Sequence, residues 1–134
     1  YKRQIEFSEE ENALRQRVEE RVRTRDWTAL QDAESLARSL GIRPSALDPV
    51  LGALKSLGVV INLEGGMLLH VDIVAEARET LRTHLEEKVS VTVSAYRSLM
   101  GCNRKCAMAL LVHFDREGLT ERRGDLRVLS GQRP

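Results

Sequence analysis

Long apolar runs and a disulfide framework are both missing from this sequence. Charged residues occupy 31% of the 134 positions, which is too many for a segment that crosses a membrane. The N-terminus YKRQIEFSEEE has no apolar stretch of the kind that marks a secretory leader. Two cysteines suit a reducing compartment. We therefore predict a cytoplasmic protein, and because position 1 is not methionine we expect a longer parent chain.

Catalytic motifs are missing as well. The chain has no P-loop, no H-E-x-x-H, no G-x-S-x-G and no Cys-x-x-Cys. His70 and His84 stand without a pattern of partner residues. We find no active site, and we expect neither an enzyme activity nor a cofactor in this stretch of sequence.

Cys102, Cys106 and His113 fall on one stripe of a predicted helix, as metal ligands can. Cys106 and His113 are seven residues apart, roughly 10 Å along a helix that rises ~1.5 Å per residue. Zinc ligands must converge within about 2.0–2.3 Å of one ion. We therefore predict buried thiols and no metal site.

The chain does contain an internal repeat with an offset of sixty residues. Residues 36–69 align with residues 96–129, so that Gly41 falls on Gly101 and Gly58 on Gly118. Each copy is predicted as a short helix, a glycine turn, a longer helix, a second glycine and two strands around a tight turn. This order is that of the winged helix-turn-helix, and the repeat fixes the architecture of the chain.

We therefore predict a mainly α fold with small β wings, arranged as two tandem winged helix-turn-helix domains. Module one covers residues 1–71 and module two covers residues 72–134. No Gly/Pro/Ser-rich linker separates them, so the modules should pack with limited freedom. Two wings on one chain indicate a binding protein rather than an enzyme.

Capping signals set the expected helix boundaries. Ser8 and Glu11 form a capping box that opens a helix over residues 9–25. Trp27 follows in a loop and is expected to plug the core of module one, and Asp72 is expected to cap the matching helix of module two.

The long helix of module one contains a proline that complicates its start. Pro44 suits a first-turn position, but Pro49 removes an N–H and crowds the preceding turn. Either the helix begins at Asp48-Pro49, or its first turn is distorted.

The net charge of +1 hides an asymmetry between the modules. Residues 1–72 hold 10 basic and 12 acidic side chains, whereas residues 73–134 hold 11 and 8. The first wing has no Lys or Arg between Ser56 and Ala77. We interpret module one as a structural spacer and module two as the module that binds a polyanion.

The start of the long helix in module two is the candidate nucleic-acid site. A recognition helix presents its first turn, whose free N–H groups favour phosphate oxygens. Asn103 is the predicted N-cap, and Arg97, at the start of the preceding helix, could face the same groove. Basic residues of the second wing would add to this surface. The predicted site consists of Arg97, Asn103, Arg104, Lys105, Arg122, Arg123 and Arg127.

Helical angles place Lys105 opposite the core stripe, together with Ala109 and Val112. An outward face that carries these two apolar residues has few side chains able to read DNA bases in a major groove. A-form RNA is instead read through its phosphates and through splayed bases in loops. The pattern therefore favours an RNA hairpin over duplex DNA.

Residues 91–129 resemble the C-terminal winged helix of the bacterial selenocysteine-specific elongation factors, the SelB family. Residues 7–88 fit the preceding winged helix of that family through pattern rather than motif. The motifs that carry the resemblance read Tyr96-Arg97, Gly101-Cys102-Asn103-Arg104-Lys105, Ala107–Phe114, Asp115-Arg116-Glu117-Gly118-Leu119-Thr120 and Gly124-Asp125-Leu126-Arg127-Val128-Leu129. Cys102-Asn103 replaces the usual Thr-Ser, and Cys106 stands where an aromatic residue or His is common.

This resemblance implies a fragment whose terminal winged helix binds the selenocysteine-insertion (SECIS) hairpin of an mRNA. We also expect a monomer with no membrane partner. It also implies that the full-length protein binds GTP, selenocysteinyl-tRNA and the ribosome through parts that precede this chain. Two other functions stay open from the residues alone, a winged-helix transcription regulator that binds duplex DNA and a winged-helix protein-interaction module.

Overall fold

The computed structural model describes residues 6–131, so residues 1–5 and 132–134 of the two predicted modules lie outside it. The first set of elements is three helices followed by a two-stranded wing. They are α1 (Glu9–Val22), α2 (Ala33–Leu40), α3 (Pro44–Ser56), β1 (Val60–Asn62) and β2 (Leu68–His70), with a short 3₁₀ turn at Glu64–Gly66 between the strands.

The second set repeats this order and adds one strand. It consists of α4 (Val71–Lys88), β3 (Ser90–Thr92), α5 (Val93–Met100), α6 (Arg104–Arg116), β4 (Thr120–Arg123) and β5 (Leu126–Leu129). Helices α2 and α3 begin and end sixty residues before α5 and α6. The repeat seen in the sequence is therefore a repeat of structure, and the mainly α fold with small wings is confirmed.

The two wings differ in the number of strands. In module two, β5 pairs with both β3 and β4, which gives an antiparallel sheet in the order β3-β5-β4. In module one, β1 pairs with β2, and only a single bridge from Gln31 to Leu68 stands where β3 would be. The second wing is thus tied more firmly to its helices.

Helix caps follow the sequence in most places. Ser8 and Glu11 form the predicted capping box, although α1 ends at Val22 rather than near residue 25. Thr92 and Asn103 cap α5 and α6, each accepting a hydrogen bond from a backbone N–H three residues on. Such a cap satisfies one of the unpaired N–H groups at a helix start.

Two predicted boundaries are corrected by the structure. Helix α3 begins at Pro44 and carries Pro49 inside it, so the first of the two alternatives, a start at Asp48-Pro49, is wrong. Helix α4 begins at Val71 and is capped by His70, whose Nδ1 accepts from the N–H of Asp72 at 3.0 Å. The cap is therefore a buried histidine and not Asp72, which is the second residue of the helix.

Two apolar clusters form the interior. The first lies between α1, α2, α3 and the first wing, and it includes Val18, Leu36 and Leu54. The second surrounds α4, α5 and α6, but it also takes Leu63 and Leu69 from the first wing. Side chains of module one therefore cover one side of the core of module two.

Trp27 belongs to this second cluster. The side chain is half-buried and packs against the core of module two together with Leu30 and Met67. The prediction that Trp27 plugs the core of module one is wrong, because the loop between α1 and α2 lies over the junction of the modules.

Ion pairs line the same junction. Arg23 binds Asp72, and Arg25 makes a two-pronged pair with Glu76 on α4. On the opposite side, Arg116 of α6 meets Glu64 of the first wing at 2.8 Å. Each of these exposed pairs contributes little to stability. Together they place opposite charges of the two modules next to each other around the apolar contact.

No helix within residues 6–131 is long and apolar enough to span a membrane. This finding agrees with the charge content of the sequence.

Leu69→Ala tests whether the modules share a core. Leu69 is fully buried in the second cluster, so we expect a loss of about 2–5 kcal/mol in the free energy of unfolding. Because the residue belongs to a strand of module one, both modules should unfold in one shifted transition, followed by circular dichroism and Trp27 fluorescence.

Leu57→Ala is the matched control, since Leu57 is 45% exposed and its loss should change stability by less than ~0.5 kcal/mol. Two separate transitions in the Leu69 variant, with module two unchanged, would contradict a shared core.

Candidate nucleic-acid interface

The start of α6 is an exposed, positively charged helix terminus. Asn103 caps it by accepting from the N–H of Cys106 at 2.8 Å, which leaves the amide NH₂ group of Asn103 for a ligand. Arg104 and Lys105 follow as the first two helical residues, and both are exposed. Free N–H groups and the helix dipole favour an anion at this position.

The second wing brings a further arginine to the same place. Arg104 and Arg122 line one cleft of about 200 Å³, together with Ser94 at the start of α5 and Asp125 at the wing turn. Arg122 is held in position by a hydrogen bond from its Nε to the carbonyl oxygen of Gly124 at 3.0 Å. The structure thus unites the helix start and the wing in one cationic cleft, which we call the helix–wing cleft.

Arg97 and Arg123 are exposed but are not among the residues that line the helix–wing cleft. Arg97 is exposed in the last turn of α5, and not at its start as predicted from the sequence. Its charge acts on the Cys102 thiol, which places Arg97 beside the turn that leads into α6. Arg123 is exposed and bound to Glu121 at 3.3 Å, so part of its charge is compensated on the wing itself.

Arg127 also lines the helix–wing cleft, but nearly all of its side chain is buried. It is 2% exposed, and its Nε and Nη2 donate to Asp115 Oδ2 at 3.3 and 3.1 Å. Thr120 donates to the other carboxylate oxygen at 2.6 Å. Burial and the pair with Asp115 leave little of this guanidinium free for a phosphate, so an RNA contact of Arg127 stays an untested prediction that the structure does not favour. Its role is to join β5 to α6.

The repeat carried a signal for this burial. Arg127 aligns with Met67, an apolar residue that packs against the core of module two. An arginine in an apolar position of a repeat indicates an internal ion pair better than it indicates a ligand contact.

The face of α6 opposite its core stripe is covered by the first wing. Ala109 is 2% exposed and Val112 is half-buried, whereas both were expected to point outward. A Cβ atom on Gly65 would lie 3.8 Å from Cε of Lys105, so the lysine stem runs over the wing turn of module one. Lys105 is therefore exposed but stands at the junction, and not on an open helix face.

A second cleft, of about 230 Å³, opens at this junction. Its apolar wall includes Trp27, Met67 and Cys106, and its rim includes Asn103 and Lys105. We call it the inter-module cleft. Sequence reasoning missed it because its two walls come from different modules.

Cys106 is buried as predicted, whereas Cys102 is only half-buried. Burial raises the pKa of the Cys106 thiol to about 12 and also raises the pKa of Cys102. Metal binding and nucleophilic attack need the thiolate. Within residues 6–131, no three His, Cys, Asp or Glu side chains are grouped so that they could hold a metal ion.

Comparison with known proteins identifies relatives of the chain. Residues 83–129 match the family model described as "Elongation factor SelB, winged helix". The selenocysteine-specific elongation factor of Escherichia coli (strain K12) is 28% identical over 123 residues, which is 92% of this chain and 19% of that protein. The chain therefore spans about a fifth of the length of this curated relative.

Two solved structures share the fold. One is the mRNA-binding domain of elongation factor SelB from E. coli in complex with SECIS RNA, with a TM-score of 0.79 and 27% identity over 92% of this chain and 99% of that one. The other is a bacterial selenocysteine-specific elongation factor, EF-Sec, with a TM-score of 0.64 and 15% identity over 92% of this chain and 18% of that one.

Arg127→Met tests the structural role of the buried arginine. The substitution leaves Asp115 with Thr120 but without its cationic partner. Because Asp115 is 25% exposed, we expect a cost near the lower end of the about 3–5 kcal/mol typical of a broken buried ion pair. Arg122→Met removes an exposed arginine of the same wing and should change stability by less than ~0.5 kcal/mol. If both variants unfold at the same denaturant concentration, Arg127 does not stabilise the contact between β5 and α6.

Proposed function

We propose that this chain, related over most of its length to the winged helices of the SelB elongation factors, binds an mRNA hairpin of the selenocysteine-insertion type. Module two, residues 72–134, supplies the RNA contacts. Module one, residues 1–71, packs its wing against the recognition helix α6. The contact residues are Arg97, Asn103, Arg104, Lys105, Arg122 and Arg123.

The helix–wing cleft is the observation that carries this proposal. Arg104 offers a planar guanidinium at a helix N-terminus, and Arg122 offers a second one from the wing across the same cleft. Guanidinium groups pair with phosphate oxygens through two parallel hydrogen bonds. Two such groups that converge from different elements fit a curved phosphate backbone better than one isolated cation would.

The packing of the first wing on α6 favours binding of an RNA hairpin rather than duplex DNA. A helix that reads DNA bases lies along the major groove with several turns exposed. In this chain the outward face of α6 packs against the first wing, and Arg116 near its end is engaged with Glu64. The first turn and the flank next to the second wing are left for a ligand, which suits phosphates of an RNA stem and bases near a loop or bulge.

Further activities of a SelB protein would lie outside this stretch of sequence. We propose that the full-length protein binds GTP, selenocysteinyl-tRNA and the ribosome through other domains, and that it acts in the cytoplasm, where translation takes place. The part of the chain described by the structure binds RNA as a monomer and requires no cofactor for this function.

A direct binding experiment tests the proposal. The chain is titrated with a bulged RNA hairpin, a scrambled RNA of equal length and a DNA duplex, with fluorescence anisotropy as the readout. We expect the hairpin to bind most tightly. Equal affinity for the DNA duplex would instead indicate a transcription regulator, and absence of binding to any nucleic acid would indicate a protein-interaction module.

Arg104→Ala should weaken hairpin binding and flatten its salt dependence. Each phosphate contact contributes a log–log slope of about −0.7 to −0.9, so loss of one contact should reduce the slope by nearly one unit. Arg82→Ala is the control, because Arg82 is an exposed arginine on α4 outside the site. Equal effects of the two substitutions would show that only overall charge matters.

A further inference from the structure

We propose that the inter-module cleft holds one unpaired base of the bound RNA, stacked against Trp27. The inference rests on the proposed RNA-binding function but adds a contact from module one, which the sequence presented as a spacer. The relevant lining residues are Trp27, Leu30, Met67, Cys106, Asn103 and Lys105.

The cleft has the chemistry of a base pocket. Its volume of about 230 Å³ is several times the ~30 Å³ that one water molecule occupies in the liquid, so a planar ring system can enter. The apolar part of the lining is the indole of Trp27, the side chains of Leu30 and Met67, and the thiol of Cys106. Thr28 and Ser35 add hydroxyl groups beside it. Proteins bind unpaired bases by stacking them on aromatic side chains in such surroundings.

Hydrogen bonds between the neighbours of Trp27 order the loop that carries it. Asp26 Oδ1 accepts from the backbone N–H and from the hydroxyl of Thr28, at 3.1 and 2.6 Å. On the other side of the loop, the N–H of Asp26 donates to the hydroxyl of Thr24 at 3.0 Å. A loop that is ordered before the ligand arrives loses little entropy on binding.

The rim of the cleft can hold the phosphate that belongs to the base. Asn103 and Lys105 are part of the cationic start of α6 and also of this rim. A nucleotide whose phosphate lies on the helix start can therefore turn its base away from Arg104 and into the cleft. The helix–wing cleft lies on the other flank of α6, so one RNA strand can occupy both clefts at once.

Asp32 limits what else can enter. Its carboxylate stands in the cleft beside Lys105. Asp32 is exposed, and its Oδ1 caps α2 by accepting from the N–H of Ser35 at 2.8 Å. Its negative charge disfavours a second phosphate, whereas the amino or imino groups on the edge of a base can donate to the carboxylate. The cleft is therefore suited to a base and not to a stretch of backbone.

Trp27 is the one tryptophan in the chain, so its emission reports on this cleft. The protein is titrated with RNA hairpins that share one stem and carry a single unpaired nucleotide at successive positions, and with the fully paired stem. We expect the emission of Trp27 to be quenched by one hairpin, the in-register hairpin, whose unpaired base is at the position that reaches the inter-module cleft. The fully paired stem should change the emission little. Tight binding of every hairpin with unchanged Trp27 emission would overturn the cleft proposal and leave the proposed function intact.

Trp27→Leu keeps an apolar side chain against the core of module two but removes the stacking surface. Affinity for the in-register hairpin should fall by roughly tenfold, as expected for one lost base stack, whereas affinity for the paired stem should change by less than about twofold. Trp27→Phe keeps an aromatic ring and should recover most of the affinity.

Thermal unfolding of both variants separates binding from folding. If Trp27→Phe and Trp27→Leu are equally folded and equally weak on the in-register hairpin, stacking is not the interaction. If no hairpin binds to the unmodified protein at all, both the proposed function and the cleft proposal fail.

Discussion

Module two depends on apolar cover that module one supplies. Leu63 and Leu69 of the first wing are buried in the cluster around α4 and α6, and Trp27 closes the same junction from another loop. One side of α6 therefore faces its own core, and another faces the wing of module one. Because burial of apolar surface is the dominant favourable contribution to folding, this arrangement fixes where α6 can be reached. What stays accessible is its first turn and the flank next to the second wing.

Arginine serves two opposite purposes on this framework. Arg127 is buried against Asp115 and holds β5 to α6, whereas Arg104 and Arg122 remain on either side of an open cleft. The buried pair is costly to desolvate and is retained because both charges are satisfied. Within the described part of the chain, Arg104 and Arg122 form no ion pair of this kind, and in our account phosphate oxygens of the RNA are their partners. The difference lies in the elements that surround each residue and not in the side chain itself.

Much of the fold was accessible from the sequence because the repeat fixed it. The glycines at 41 and 101 have left-handed backbone conformations that end α2 and α5, and the spacing of α2–α3 recurs in α5–α6. Contacts between the modules were not accessible, since periodicity describes one helix at a time. Ala109 was expected on an open face for this reason, and Trp27 was assigned to the wrong core. The extent of the two modules and the RNA contacts of the remaining candidates stay predictions.

Backbone amide NMR of the chain during titration with an mRNA hairpin tests the central claim most directly. The account predicts that the largest shift changes fall at residues 103–105, at the wing residues 121–125 and in the loop around Trp27. Residues on the outer face of α4 should stay unchanged, because that face lies away from both clefts. Shift changes concentrated on α4, or confined to module one, would contradict recognition through the start of α6.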